Sequence, residues 1–286
     1  MGIANLRGDY HRRIGEEVLR FKKDGASEYP NLADKASRAS REIALGIVTR
    51  IGCPICYEFI SGQTAGNLFE VITKDFLENA FDLLQHLRPG QWHYSIETPI
   101  SDFEQYEHLA ELENIVEQMA TLASSLGTDY IIKPDIVIGR WPVSDEEIDR
   151  EKRVINENNS LARLTPLRMT NSEENPRLIL HASISCKWTL RSDRSQNARA
   201  EALNLIRNRK GHLPHVVAVT AEPLPTRIAS LALGTGDLDC VYHFALPELT
   251  EAIREMNNED QMEMLQTLVQ GRRLRDISDL PFDLAI

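Results

Sequence analysis

His181-Ala-Ser-Ile-Ser-Cys-Lys-Trp-Thr189 reads as a β-strand, and the fold follows from it. Successive side chains on a strand point to opposite faces. His181, Ser183, Ser185, Lys187 and Thr189 therefore share a polar face, while Ala182, Ile184, Cys186 and Trp188 share an apolar one. The whole strand is predicted over 178–190, and a helix over 193–209 follows. Beyond it come a strand over 215–220, the turn Glu222-Pro-Leu-Pro225, a short helix over 226–233, a strand over 239–244 and two C-terminal helices. Strands alternating with helices predict an α/β fold built on a central mixed sheet flanked by helices.

Upstream, Tyr130-Ile-Ile-Lys-Pro-Asp-Ile-Val-Ile138 is a β-branched run broken by Pro134, which suits a sheet edge or a bend. Residues 140–177 are polar and irregular, mainly loop with one helical piece near 145–157. Nearer the N-terminus, helices are predicted over 9–24 and 36–51, separated by a turn-prone stretch. A third covers 65–87, where Phe69, Ile72, Phe76, Leu83 and Leu87 recur at helical spacing as a buried stripe. Arg88-Pro89-Gly90 stops it. A short strand over 92–97 and a helix over 103–126 complete this half. The expected organisation is one domain over 1–286: a helical part over 1–126, the sheet core over 127–246 and C-terminal helices over 247–286.

Of 286 residues, 42% are hydrophobic and 26% charged, the profile of a globular protein with a substantial core. The start, MGIANLRGDYHRR, carries charges where a signal peptide needs an apolar stretch. No run approaches the length of a membrane span, so a cytoplasmic protein with no membrane partner is expected. Cys53 and Cys56 form a CxxC, but a zinc site needs a second pair of ligands and none is visible. Ordinary cysteines are the expectation. The net charge of −11 argues against nucleic acid. Yet Lys187–Lys210 holds seven Lys/Arg against only Asp193 and Glu201. A solvated helix face is the other reading of that run.

Lys187 on a well-formed strand is costly to bury without a charge partner; alternatively it is an edge lysine that deters aggregation. Candidate partners are Asp135 after Pro134, Glu201 on the following helix, and Glu70 inside GQTAGNLFE. Phosphodiester hydrolysis asks for such a set: carboxylates to hold a hard cation and an ammonium near the attacking water or the phosphate. Immediately after Lys187, Arg191-Ser-Asp-Arg194 offers donors for guanine edges and an acceptor for cytosine N4 in a major groove. Asp193 could equally cap the helix and pair with an arginine. Three functions compete on this basis: a site-specific DNA endonuclease, a catalytically silent DNA-binding protein of the same fold, and a metal hydrolase for small phosphate esters. The last leaves Arg191-Ser-Asp-Arg194 unexplained.

The segment KWTxRSDR (187–194), preceded by HASISC and followed by QNARxExLNLxRNRKG, resembles the NgoMIV family of Type II restriction endonucleases. These belong to a tetrameric, CCGG-recognising group with the PD-(D/E)xK nuclease fold. Similar stretches are GQTxGNxFE (62–70), LQHxRPGxW (84–92), GxDYxIxPDI (127–136), RIxSxALGTG (227–236), DCVYHFAL (239–246) and DISDLPxDLA (276–285). The resemblance is dense over 60–92, 127–136 and 181–286, and thinner elsewhere. It implies a Mg²⁺-dependent enzyme with one or two metals per site, cutting double-stranded DNA within a CCGG palindrome to leave 5′-phosphate ends. Asp135 would be the central metal ligand, assisted by the main-chain carbonyl of Cys186. Lys187 would orient or activate the attacking water. Glu70 and Glu201 would complete the acidic cluster, with Ser185 where many nucleases of this fold carry an acid. Arg191, Asp193 and Arg194 would read the inner CCGG, Asp34 and Arg227 an outer G·C pair, and Gln63 the minor groove. Without the resemblance, Asp34 and Arg227 read as surface ion-pair residues. A palindrome needs a two-fold partner, so a dimer is expected, and the resemblance implies a tetramer of two dimers.

Overall fold

The computed structural model describes residues 2–286 except 26, 119–132, 156–161, 170–175, 191 and 235. The chain opens with α1 (Ile3–Arg13), which runs into a single π-turn over Ile14–Val18. A hairpin of β1 (Phe21–Asp24) and β2 (Ser27–Pro30) follows. The helix expected to reach residue 24 therefore ends at the π-turn. Phe21-Lys-Lys-Asp24 lacks a helical apolar period, and Gly25, at φ +61°, turns the chain back on itself.

Next come α2 (Arg38–Ile51) and α3 (Gly62–Asp82). Ser37 caps α2, its hydroxyl accepting from the Ser40 N–H, and Ser61 caps α3 by accepting from the Thr64 N–H. Phe69, Ile72 and Phe76 are buried as predicted, but α3 stops at Asp82 and leaves Leu83 and Leu87 exposed. The stripe was thus read one turn too far.

After β3 (Trp92–Ser95), two short 3₁₀ turns lead into α4 (Glu107–Gln118), so the helix expected from 103 starts four residues later; its predicted end lies outside the described residues. Then come β4 (Ile136–Arg140), β5 (Val143–Ser144), α5 (Asp145–Ile148) and β6 (Arg168–Met169). The helical piece expected over 145–157 is only one turn long, because Asp149 ends it by accepting from the Val154 and Ile155 N–H groups. The C-terminal half runs β7 (Ile179–Lys187), α6 (Ser192–Asn208), β8 (His215–Thr220), α7 (Pro225–Ala232) and β9 (Cys240–His243). It closes with α8 (Leu246–Glu255), α9 (Glu259–Gln270), β10 (Leu274–Asp276) and α10 (Leu280–Leu284).

Six strands form the central sheet in the order β10-β9-β8-β7-β4-β3. β7 to β10 are parallel, and β4 is antiparallel to both β7 and β3. The sheet thus extends past 127–246 at both ends, taking in β3 and β10. β10 escaped the sequence reading because three residues among arginines carry no period; its place is set by pairing with β9.

Helices cover both faces. α6 lies over Ser183 and Ser185, with Tyr106 donating to the Leu205 carbonyl on that side. α3 lies over the other face, where Phe69 meets Trp188 edge to face at 5.2 Å, a contact worth roughly 1 kcal/mol beyond its burial. Buried apolar residues from both halves of the chain join in one cluster.

One irregularity changes the predicted faces of β7. Ile138 pairs with Ala182 but Gly139 pairs with Leu180, so His181 is an extra, bulged residue. It does not share the Lys187 face. Its ring packs against Phe81 of α3 and Trp92, and its Nε2–H donates to the Leu284 carbonyl at 2.8 Å. Opposite it, Gly139 leaves room for Phe103; a Cβ there would sit 2.9 Å from that ring. Among the described residues no helix is long and apolar enough to cross a membrane.

Candidate active site and DNA-reading cleft

Because β4 runs antiparallel to β7, its first residues lie beside the last residues of β7. Ile136 pairs with Ile184, which puts Asp135 against Ser185, Cys186 and Lys187. The Asp135 Oδ2 oxygen accepts from the Cys186 N–H at 2.7 Å, from Lys187 Nζ at 2.8 Å and from Ser185 Oγ at 3.4 Å. The N–H and C=O of one strand residue point the same way, so the Cys186 carbonyl faces Asp135 as well. The Lys187 carbonyl turns the other way, accepting from the Ala221 N–H and Thr220 Oγ1.

Burial alone would lower the Lys187 ammonium, but Asp135, through charge and a hydrogen bond, and Glu201 lift it above its ordinary value. It is a firmly protonated cation. Glu201 reaches the same place from α6, and with Pro134 and Ser185 it lines one small cavity. Burial raises its carboxyl, and Lys187 partly offsets this. Glu70 approaches from α3. Burial first, then the charge of Asp135, push it up to about 7, with Lys187 and Lys133 pulling it partway back. Asp135, Lys187, Glu201 and Glu70 are therefore brought together. Lys133, which the sequence reading passed over two residues before Asp135, joins them electrostatically.

These residues fit a divalent cation in their donor chemistry. Three carboxylates face one half-buried ammonium, and burial, with the charge of Asp135 added to it, raises both Glu70 and Glu201. Among the described residues Asp135 Oδ1 takes no hydrogen bond, and the available donors are hard oxygens. They are not preassembled as a cage: among the described residues no three Asp, Glu, His or Cys groups sit around one point. Cys53 and Cys56 are free and half-buried.

Beyond Lys187 the chain enters a cleft of about 770 Å³ lined by Trp188, Thr189, Leu190, Glu222, Asp34 and Arg227. Arg227, in the first turn of α7, pairs with Asp34, which follows the hairpin 193 residues earlier in the chain. The two predicted outer-pair readers are thus neighbours on one wall. Gln63 is exposed in the first turn of α3, beside Ser61 and Gly62, which line the same cleft. Asp193 and Arg194 stand in the first turn of α6. Arg191, and the side chains of 191–195, lie outside the described residues. Glu222, read from sequence only as part of a proline-rich turn, is buried at the base of the cleft. An acid closing the apolar run Val216–Ala221 was the signal available for it.

The family model of the NgoMIV restriction enzyme matches residues 10–286. The chain belongs to the NgoMIV restriction enzyme family. Its sequence is 48% identical over 259 residues to the Type II restriction enzyme NgoMIV of Neisseria gonorrhoeae, covering 89% of each chain. Two solved structures show slighter likeness. The Type IIF restriction endonuclease Bse634I with cognate DNA has a TM-score of 0.37 at 12% identity, over 84% of this chain and 98% of that one. The PspGI–substrate DNA complex has a TM-score of 0.25 at 16% identity, over 93% and 97%. This member of the NgoMIV family is a Type II, site-specific deoxyribonuclease, and DNA is its partner. Restriction endonucleases generally use divalent metal ions.

Proposed function

We propose that this NgoMIV-family enzyme hydrolyses both strands of a palindrome with a CCGG core, GCCGGC in full. It would use Mg²⁺ and leave 5′-phosphate and 3′-hydroxyl ends. The observation that carries the catalytic half is the convergence of Lys187 and a Cys186 N–H on one oxygen of Asp135, between two carboxylates of raised proton affinity. Asp135, the Cys186 carbonyl, Glu70 and Glu201 would hold the ion. When bound, Mg²⁺ supplies Lewis-acid polarisation of the phosphate and lowers the pKa of water.

The chain's own groups do the rest. Lys187 Nζ, fixed by Asp135, orients the attacking water and meets the negative charge that builds on the phosphate oxygens. Glu70, facing Asp135 and Lys187 from α3, completes the acidic cluster. Glu201 takes the duty that an acid at position 185 has in other nucleases of this fold.

Arg191, Asp193 and Arg194 read the inner pairs, Arg227 and Asp34 the outer G·C pair, and Gln63 the minor groove. The same patch must meet each half-site, so the working unit is a two-fold dimer, joined back to back as a tetramer in the cytoplasm. The test is direct: incubate the protein with Mg²⁺ and phage DNA, then sequence the fragment ends. Ends inside GCCGGC, lost when the metal is chelated, are expected. Ends at an unrelated sequence would overturn the specificity.

A further inference from the structure

Glu222 is 1% exposed, yet neither the catalytic set nor the base-reading residues include it. A carboxylate taken out of water is costly unless its oxygens are bonded. Here Oε2 accepts from the Leu190 N–H at 2.9 Å and Oε1 from the Leu224 N–H at 3.3 Å, with Arg227 Nη1 3.9 Å from Oε1. Leu190 immediately precedes Arg191, and Leu224 caps the helix that carries Arg227. One side chain therefore holds the backbone just ahead of both arginines.

Its own backbone is tied in two ways. The Glu222 N–H donates to Thr220 Oγ1 at 3.2 Å, and that hydroxyl donates to the Lys187 carbonyl at 2.8 Å. The Glu222 carbonyl accepts from His243 Nε2–H at 3.2 Å, a tautomer fixed because His243 Nδ1 accepts from the Ala245 N–H. An apolar side chain of this size would fill the space at less cost. What it could not do is receive two N–H groups from two reading elements.

We infer that Glu222 is a positioning residue for sequence discrimination, clamping the strand-to-helix junction before Arg191 and the helix of Arg227 in one register beside the catalytic strand. This rests on reading Arg191 and Arg227 as base contacts. It predicts that inner and outer base pairs lose discrimination together when Glu222 changes, although Glu222 touches no base. Glu222→Gln retains the shape but presents an NH₂ to one of the two backbone donors. Glu222→Asp retains the charge but withdraws it by one methylene.

The experiment compares cleavage at the mapped site with cleavage at sites changed in one inner or one outer pair. The proteins are the full-length wild type, both Glu222 variants and Arg191→Ala, each checked by thermal melting. The expected result is folded Glu222 variants whose preference for the true site falls roughly tenfold at both kinds of position. Unchanged preference, or equal slowing on every site, would overturn the assignment, as would loss of folding in both variants. If Arg191→Ala also leaves inner-pair preference intact, the reading of the arginines has failed. If it relaxes that preference while both Glu222 variants do not, only the role of Glu222 falls.

Discussion

Two carboxylate–cation pairs, one at the end of the catalytic strand and one on the wall of the cleft, are built differently. Asp135 and Lys187 come from adjacent antiparallel strands, and the sheet register brings them to 2.8 Å. Their side chains are 23% and 17% exposed. Asp34 and Arg227 come from a loop and a helix 193 residues apart, and theirs are 31% and 36% exposed. The first pair is stiff and weakly screened; the second is more open to water and salt. Chemistry on a phosphate needs a charge that is already in place. Base reading needs side chains that can leave a protein partner for a DNA one. The contrast follows from what holds each pair, sheet register for one and the packing of a loop on a helix for the other.

The sharpest break of this contrast is at the stiff pair. Lys187→Ala should lower the cleavage rate on the order of 10³-fold while binding of the cognate duplex, measured with the metal withheld, stays nearly unchanged. Substantial cleavage by the variant would remove Lys187 from the reaction.

A smaller effect separates the buried carboxylate behind the open pair from its surroundings. Glu222 faces Arg227 from α7, Asp34 from the loop after β2 and the neutral His243 of β9. Burial pushes its carboxyl up to about 7 from an ordinary 4.5, with Arg227 and the Leu190 and Leu224 N–H groups opposing. The folded chain therefore holds this proton more tightly than the unfolded chain does. Its contribution to stability is fully present below about pH 4.5 and is lost as pH rises through about 7. Glu222→Gln carries no such proton. Between pH 5 and 8, urea midpoints should shift in favour of the variant, by up to about 3 kcal/mol in relative stability. A constant difference across that range would mean that the carboxyl is not perturbed.

The smallest effect belongs to the open pair itself. A double-mutant cycle on Asp34→Ala and Arg227→Ala should give a coupling of about 0.2–1 kcal/mol in the stability of the free protein. Coupling of several kcal/mol would make this a rigid structural bridge and erase the contrast between the two pairs.

The stiff end was far more legible in the sequence than the open one. Strand alternation put Ser185 and Lys187 together, and Pro134-Asp135 beside a β-branched run announced the neighbouring strand. Glu70 and Glu201 could be nominated as acids on helices, but their closeness to Lys187 depends on how α3 and α6 pack on the sheet. The open end is a tertiary product. No local period ties Asp34 to Arg227, and Glu222 hid inside a proline-rich turn because its partners are backbone N–H groups 2 and 32 residues away. The N-terminal hairpin and β10 were missed for the same reason: short strands among charged residues take their identity from their partners.

The bulge at His181 divides β7 into two stretches of opposite parity. Ahead of it, odd and even positions exchange the sides they occupy in the catalytic stretch, so the packing of Ile179 and Leu180 is insulated from the spacing that aims Lys187 at Asp135. Pairing that single residue into the ladder would force a choice: either the outer stretch turns inside out, or the reactive ammonium swings onto the Trp188 side and points into hydrocarbon.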